Sequence, residues 1–374
     1  MAPDGSDPGR SASAGRSAIA GHTAMTVLGP VPVESLGIVL AHEHLLIRLP
    51  VFVDPDNADS PELRRRRNER VSLKNLGWVR QYWTYNADNM RMTSEPVATA
   101  ELARFRAAGG STLVDVTLPE IGRDPLALAR MSRATGVHVV MGCGAYVGST
   151  QLDWMRSASV GELADAFVAE ARDGVAGSGI RPGVIGEIGC SWPLLGSEQR
   201  ALRAAARAQR RTGLPISIHP GRNRASPGPI LEILDEEGAD LRRVAIGHLE
   251  RTIQDIEGLR ELGQQGPYLE FDCFGLETSF YPVPGISDIA MPSDAQRLDM
   301  VRGLIDAGYG SRILVSHDVC TKHRLARYGG HGYDHLVSNV MPWMRQRGFS
   351  DAEIDAIFVR NPAEFLAVAP VADA

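Results

Sequence analysis

The stretch GIVLAHEHLLI at residues 37–47 places His42 and His44 one residue apart inside an apolar run. In a helix these two side chains would diverge by about 200°, so they could not share a ligand. In a strand the same spacing puts both on one face. The apolar residues 38–41 predict a buried strand, with both imidazoles side by side at its end and Glu43 pointing the opposite way. Two satisfied core histidines are the alternative, but that would bury two polar rings together without a purpose.

Length and composition narrow the class of protein. The chain has 374 residues, of which 44% are hydrophobic and 22% charged, as in soluble globular proteins. A net charge of −6 argues against a nucleic-acid partner. No apolar run is long enough to span a membrane, and four widely spaced cysteines are typical of reduced thiols in the cytoplasm. We therefore expect a cytoplasmic protein that acts on a small molecule and could form a homodimer.

Residues 1–24 are rich in Gly, Ser, Ala, Pro and Asp. They lack the apolar central region of a signal peptide, so they predict a disordered tail. Ordered patterning begins at Met25, which could itself be the translation start. We expect residues 25–370 to form a single catalytic domain.

Eight short β-rich runs recur along the chain, beginning at residues 37, 111, 138, 183, 215, 243, 268 and 312. Amphipathic segments such as GELADAFVAEARDG lie between them, and most end at a glycine, as helices commonly do. Strands that alternate with helices indicate parallel βαβ units, and eight units close into a (β/α)8 or TIM barrel. A doubly wound open sheet is the alternative, but no G-x-G-x-x-G follows the first strand.

Two insertions interrupt this pattern. Residues 51–92 follow the first strand and carry Trp78, Tyr82, Trp83 and Tyr85, and residues 275–293 follow the seventh. In a barrel both would lie at the carboxyl-terminal face, where loops build active sites. The aromatic residues predict either a substrate wall or a helix packed on the rim.

Catalytic residues of a barrel lie at the carboxyl ends of different strands. Six polar side chains occupy such positions: His42, His44, Glu187, His219, His248 and Asp318. Four imidazoles and two carboxylates are the ligand set of two zinc-like ions. Their convergence predicts a binuclear metal site.

Two ions about 3.5–4 Å apart need an anionic bridge. Glu187 can supply this bridge. A carbamylated lysine cannot, because the only lysines are Lys74 and Lys322, and neither lies on the fourth strand. We expect Zn²⁺ at both positions, with Mn, Co or Fe as alternatives.

The motifs LAHEHL, GVIGEIGCSWPL, IHPGR, GHLERT, SHD and RYGGHGYDHL resemble the phosphotriesterase family of the amidohydrolase superfamily, and within it the phosphotriesterase-related proteins of the resiniferatoxin-binding type. The resemblance covers about residues 26–368. It implies that His42 and His44 hold one ion, that His219 and His248 hold the second and that Glu187 bridges them. Asp318 would bind the first ion and act as the catalytic proton shuttle.

The site predicts hydrolysis by metal-activated hydroxide, because metal binding lowers the pKa of water toward 7. Asp318 would accept the proton and return it to the leaving group. Arg222 could hold an anionic substrate tail or form a salt bridge between loops. Tyr146, Lys322 and His331 are further candidates for substrate contact, although Lys322 and His331 lie in loops that are often solvated.

Three functions remain open. The first is hydrolysis of an amide, lactone or ester, and the resemblance extends it to small N-acyl amines such as N-acetyltaurine. The second is true phosphotriesterase activity, which the glutamate bridge disfavours. The third is non-catalytic binding, against which the complete ligand set argues.

Overall fold

A computed structural model describes residues 21–49, 61–279, 281–283 and 289–370. Within these ranges the strands are β1 (Thr23–Thr26), β2 (Gly29–Pro32), β3 (Val39–Glu43), β4 (Ile47–Arg48), β5 (Arg91–Met92), β6 (Thr112–Asp115), β7 (His138–Cys143), β8 (Val184–Gly189), β9 (Ile216–His219), β10 (Val244–Ile246), β11 (Tyr268–Phe271) and β12 (Ile313–Val315).

The α-helices of the same ranges are α1 (Pro61–Asn68), α2 (Leu76–Gln81), α3 (Glu95–Ala107), α4 (Pro125–Thr135), α5 (Asp153–Ser157), α6 (Val160–Asp173), α7 (Gly196–Thr212), α8 (Pro227–Glu236), α9 (Leu249–Thr252), α10 (Ile256–Gly263), α11 (Asp294–Asp306), α12 (Met341–Gln346), α13 (Asp351–Asp355) and α14 (Asn361–Leu366). Short helical turns connect several of them.

Eight of the described strands form one parallel sheet in the order β3, β6, β7, β8, β9, β10, β11, β12. The last strand returns to the first, because the amide of Asp318 donates a hydrogen bond to the carbonyl of His42 at 3.2 Å. Strand order therefore follows chain order around a nearly closed barrel. The prediction of a (β/α)8 barrel is confirmed, and the doubly wound sheet is wrong because its strand order would reverse at the centre.

Helices surround the barrel because their apolar faces cover the outward side chains of the strands. The long helix α7 illustrates this, with Ala201, Leu202, Ala205 and Ala208 among its buried residues. The predicted glycine ends occur at α4, α6 and α7, whose C-caps are Gly136, Gly174 and Gly213 with positive φ. These short helix ends let each strand begin close to the preceding helix.

Ordered structure begins before Met25. Strand β1 starts at Thr23, whose carbonyl accepts a 2.8 Å hydrogen bond from the amide of Val368. The carbonyl of His22 accepts one from Val33 at 3.1 Å, and the side chain of Ala24 is buried. Regular structure therefore begins two residues before the predicted domain start at Met25, because backbone pairing with β2 holds Thr23 and Ala24, which lack apolar periodicity. The rest of the predicted tail, residues 1–20, lies outside the described residues.

Two further features concern the cysteines and the lengths of the helices. All four cysteines are free. In the described part of the chain, the helices are too short or too polar to cross a lipid bilayer.

Candidate metal centre and active site

The barrel brings the six predicted ligands together at the carboxyl ends of its strands. His42 lies on β3 and His44 directly after it, Glu187 lies on β8, and His219 ends β9. His248 and Asp318 follow β10 and β12. The five other side chains are buried, and that of Asp318 is 18% exposed.

The backbone at this end of the barrel departs from regular strand geometry. The pairing of β3 with β6 shifts register between Leu40 and Glu43, and that of β8 with β9 shifts between Ile185 and Ile188. Such irregularities re-aim side chains and are frequent near active sites. His248 and Asp318 have φ values of 53° and 51°, which is uncommon for residues other than glycine. Local strand irregularity therefore directs the ligands toward one point.

The spacing of the ligand atoms fits metal ions. Nε2 of His44 lies 3.4 Å from Glu187 Oε1 and 3.3 Å from Asp318 Oδ1. Glu187 Oε2 lies 3.3 Å from His42 Nε2 and 3.4 Å from His248 Nε2. Ligands bound tetrahedrally to zinc at about 2.0–2.1 Å are about 3.3–3.4 Å apart. The separations match the edges of such tetrahedra.

The imidazole nitrogens themselves support the same conclusion. Neither ring nitrogen of buried His42 makes a hydrogen bond with the described residues. Nδ1 of His219 lies 2.9 Å from both Glu187 Oε2 and His248 Nε2. Buried polar atoms are normally satisfied, so a nitrogen of this kind at the centre of a carboxylate and imidazole cluster is suited to bind a cation.

The charges of the site favour metal binding. Burial lowers the pKa of His44, but hydrogen bonds with Asp318 and Glu187 outweigh it and raise the pKa to about 9. Burial acts to raise the pKa of Glu187, yet His42 and His219 bring it well below its usual value. Burial also acts to raise the pKa of Asp318, but the hydrogen bond with His44 outweighs burial and the pKa is lowered. The carboxylates stay ionised, and ionised carboxylates among buried imidazoles are suited to bind cations.

Outer contacts orient the ligands. Nδ1 of His44 lies 2.9 Å from the hydroxyl of Thr117, and Nδ1 of His248 lies 2.7 Å from Oδ1 of Asp272. Carboxylate partners of this type fix the ring and raise the basicity of the coordinating nitrogen. Buried Glu270 lies beneath His42, with Oε2 3.5 Å from Nδ1, and burial raises its pKa to about 7. Neither acid was among the predicted ligands, although YLEFDCF places the two in alternation on a buried strand.

Glu43 has a role that its outward orientation alone did not reveal. Its carboxylate accepts hydrogen bonds from Ser316 Oγ, from the amide and Nδ1 of His317, and from the amide of Val319, at 2.7–2.9 Å. These bonds join the first strand to the segment that follows the last. Glu43 therefore closes the barrel beside Asp318.

Arg324 holds the same segment from the other side. Its guanidinium donates to the carbonyls of Asp318, His317 and Phe274, and its Nε lies 3.3 Å from Nε2 of His331. Asp318 is thus fixed between Glu43 and Arg324. The unusual backbone conformation of Asp318 is held by these contacts.

A pocket that is open to solvent lies over the ligands. Its walls combine apolar, aromatic and cationic side chains: His44, Ile47, Leu49, Trp83, Tyr146, Glu187, His219, Arg222, Arg251, Leu276, Tyr281, Asp318, Cys320, Thr321 and Arg324. A concave site with apolar walls and a few convergent polar groups suits a small molecule.

Both alternatives for the insertions are correct in part. Trp83, from the first insertion, packs against Tyr281, from the second, with ring centroids 5.5 Å apart, and both line the pocket. Trp78 instead packs on Tyr82 at 5.3 Å, outside the pocket lining. Residues 51–60, 280 and 284–288 of these insertions lie outside the described part of the chain.

The four candidate substrate contacts divide into two pairs. Tyr146 and Arg222 line the pocket, and the hydroxyl of Tyr146 lies 3.4 Å from His219 Nδ1. Lys322 forms an ion pair with Asp88 at 2.6 Å and does not line this pocket. His331 lines a separate depression and accepts from Arg324. Loop contacts that no sequence pattern predicts hold Lys322 and His331 outside the lining of the pocket over the predicted ligands.

Comparison with known proteins establishes the class. The model of the phosphotriesterase family matches residues 22–366. The chain therefore belongs to this family of binuclear metal-dependent enzymes, and it is a metal-dependent hydrolase.

Individual relatives agree with this. N-acetyltaurine hydrolase of Dictyostelium discoideum is 41% identical over 92% of this chain and 97% of its own length. The protein of the same name from Homo sapiens is 42% identical, covering 91% and 97%. A resiniferatoxin-binding protein from Rhodobacter sphaeroides superposes with a TM-score of 0.88 at 38% identity, covering 93% of this chain and 96% of that one.

Proposed function

We propose that this chain hydrolyses a small N-acyl amine, N-acetyltaurine above all, at a pair of Zn²⁺ ions. The convergence of four imidazoles and two carboxylates with tetrahedral spacing carries the proposal of two ions. Nitrogen-rich ligation favours Zn²⁺, with Mn, Co and Fe as alternatives. Such ions would lower the pKa of water and polarise the substrate carbonyl.

Each ligand has an assigned place in this proposal. His42, His44 and Asp318 hold the first ion, and His219 and His248 hold the second. Glu187 lies within 3.4 Å of His44 and His248 through different oxygens, which suits a bridging carboxylate. Asp272 and Thr117 keep the imidazoles of His248 and His44 in their binding orientation.

Asp318 moves the proton. Its carboxylate is ionised, borders the pocket and is the most exposed of the six ligands. It can therefore accept a proton from the attacking water and deliver it to the departing amine. Tyr146 stays neutral, because burial raises the pKa of its phenol well above the usual value, and its hydroxyl can donate to the substrate carbonyl.

Two observations favour an N-acyl amine that carries an anion. The relatives that are 41–42% identical are N-acetyltaurine hydrolases, and N-acetyltaurine carries a sulfonate. The pocket contains guanidinium groups, among them Arg222, which lies over the ring of Tyr281 at 5.6 Å. Arg222 is partly exposed and could attract the anion toward the pocket. We also propose a cytoplasmic location and a homodimer.

The test is a substrate panel on metal-reconstituted protein. N-acetyltaurine, a γ-lactone and an aryl dialkyl phosphate would be compared by kcat/KM, with bound metal measured in the same samples. The proposal expects two metals per chain and the highest kcat/KM for N-acetyltaurine. A phosphotriester preferred over both carboxyl substrates would favour the phosphotriesterase alternative. No turnover in a fully loaded protein would favour non-catalytic binding.

A further inference from the structure

Arg251 is a buried cation for which the described residues provide no carboxylate partner. It lies on α9, three residues after His248, and its side chain is 5% exposed. Its guanidinium donates to the hydroxyl of Tyr281 at 3.1 Å and to the carbonyl of Pro220 at 3.3 Å, and it contacts Nε2 of His219 at 3.1 Å. Its Nε has no hydrogen-bond acceptor in the described part of the chain.

Arg297 shows how this chain treats a buried arginine with a structural role. It is fully buried, and its guanidinium donates to Glu250 at 3.1 Å, to Asp294 at 2.8 Å and to the carbonyl of Leu276 at 2.8 Å. Two carboxylates thus neutralise it. Burying an uncompensated charge is unfavourable, so the different surroundings of Arg251 call for an anion from elsewhere. Arg251 lines the pocket, where a ligand can supply one.

Metal binding would increase the need of Arg251 for an anionic partner. In the structure His219 accepts from Arg251 through Nε2 while its Nδ1 faces Glu187 at 2.9 Å. An imidazole that binds an ion through Nδ1 carries its remaining proton on Nε2 and becomes a donor there. Arginine has donors only. Both groups would then be donors, and no hydrogen bond could form between them. In the metal-loaded enzyme Arg251 would therefore lack this acceptor when substrate binds.

We propose that Arg251 is the specificity-determining residue that binds an anionic group, sulfonate or carboxylate, on the amine side of the substrate. This inference rests on the proposed function. One imidazole ring separates the guanidinium from Nδ1 of His219, the atom that would bind the second ion, so the guanidinium lies beside the proposed reaction centre. The anion must then be carried on a short arm beside the scissile amide. Tyr281, bound to Arg251, holds the guanidinium toward the pocket.

The kinetic test compares N-acetyltaurine with its neutral isostere, 2-acetamidoethyl methyl sulfone, which keeps the amide and the arm. We expect the wild-type enzyme to prefer the sulfonate by about 10- to 100-fold in kcat/KM, the range of one charge-assisted hydrogen bond. Equal kcat/KM for both compounds would overturn the role of Arg251 while leaving amide hydrolysis intact. The failure of this inference is thereby distinguishable from failure of the proposed function.

Arg251→Met should reduce the preference for the sulfonate to near unity, mainly through KM. Arg251→Lys keeps the positive charge but lacks the planar guanidinium. It should therefore recover part of the preference for the sulfonate. Arg224→Met is the matched control, because Arg224 is an exposed arginine paired with Asp255, and it should keep the full preference. Unchanged preference in Arg251→Met would contradict the inference.

Stability separates binding from a structural role. Removing an unpaired buried charge should leave the melting temperature of Arg251→Met unchanged or raise it, with metal content kept. A lower melting temperature for both Arg251→Met and Arg251→Lys, together with loss of metal, would mean that Arg251 supports the fold, and the inference would fail.

A binding measurement without turnover completes the test. Calorimetry with ethanesulfonate should detect binding to the zinc-loaded protein, weaker binding to the metal-stripped protein and at least a 10-fold loss in loaded Arg251→Met. Ethyl methyl sulfone, which is neutral, should not bind detectably. Ethanesulfonate binding that is the same in Arg251→Met as in wild type would contradict the proposed anion site.

Discussion

The two ends of the barrel interior are built from the same strands but from opposite kinds of side chain. Toward the amino ends the interior is apolar, and the residues that pack there include Val39, Val114, Val140, Val184, Ala245, Leu314 and Phe365. Toward the carboxyl ends it contains buried imidazoles and carboxylates within 3.5 Å of one another. The apolar end is stabilised by its own packing, whereas the polar end is suited to bind cations.

The backbone follows the same division. At the apolar end strand pairing is regular, and helix α14 closes the barrel with Phe365, whose ring lies 5.3 Å from that of Tyr268. At the polar end the register shifts occur next to His42 and Glu187, and Asp318 has a positive φ. Such conformations persist only where the surrounding structure holds them. The comparison indicates that the apolar end maintains the barrel while the polar end carries the chemistry.

The largest effect should come from the polar end. Asp318→Asn keeps the shape of the side chain but cannot accept a proton, so we expect kcat to fall by about 10²–10⁴-fold. Steady-state kinetics would measure this, with metal content determined in parallel. A variant that retains both metals and the wild-type kcat would show that Asp318 is not the proton acceptor.

At the apolar end, Phe365→Ala should lower the free energy of unfolding by about 3–5 kcal/mol, because it leaves a cavity in the closed end of the barrel. The kcat per folded molecule and the metal content should be unchanged. Urea denaturation checks the first expectation. Loss of metal in the folded variant would mean that the two ends are not independent.

Glu43 lies at the boundary between the two ends. Glu43→Gln replaces one acceptor oxygen by an amide that cannot accept, so donors on Ser316, His317 or Val319 lose their partner. We expect a loss of about 1–3 kcal/mol in stability and weaker metal binding at the ion held by Asp318. Denaturation of the metal-free and loaded proteins separates the two effects. Unchanged stability and metal affinity would show that Glu43 contributes to neither.

The smallest effect should come from trimming the amino terminus. A chain that begins at Met25 lacks Thr23 and Ala24, and with them the hydrogen bond from Val368. We expect it to be about 1–2 kcal/mol less stable than a chain that begins at Gly21. Thermal unfolding of the two compares them directly, and identical melting temperatures would mean that β1 adds nothing.

The sequence was sufficient to predict the barrel and the convergence of the six ligands, because strand ends in a barrel share one face. His219 and Asp318 could be placed by counting strands alone. Arg251 could not be placed in this way, because its burial depends on the short helix α9. This helix follows His248, whose backbone has a left-handed conformation. The interaction of Lys322 with Asp88 depends on how an insertion folds over the rim. Such contacts arise from tertiary packing and leave no periodic signal.

The number of bound metal ions is the decisive measurement for a binuclear site. We expect elemental analysis of the reconstituted wild-type protein to find two ions per chain. Glu187→Gln keeps the size of the side chain but leaves two cations without their bridging charge, so this variant should retain one ion or none and lose nearly all activity. If Glu187→Gln keeps two ions and its turnover, or if the wild-type protein reaches full activity with a single ion, the binuclear site bridged by Glu187 is wrong.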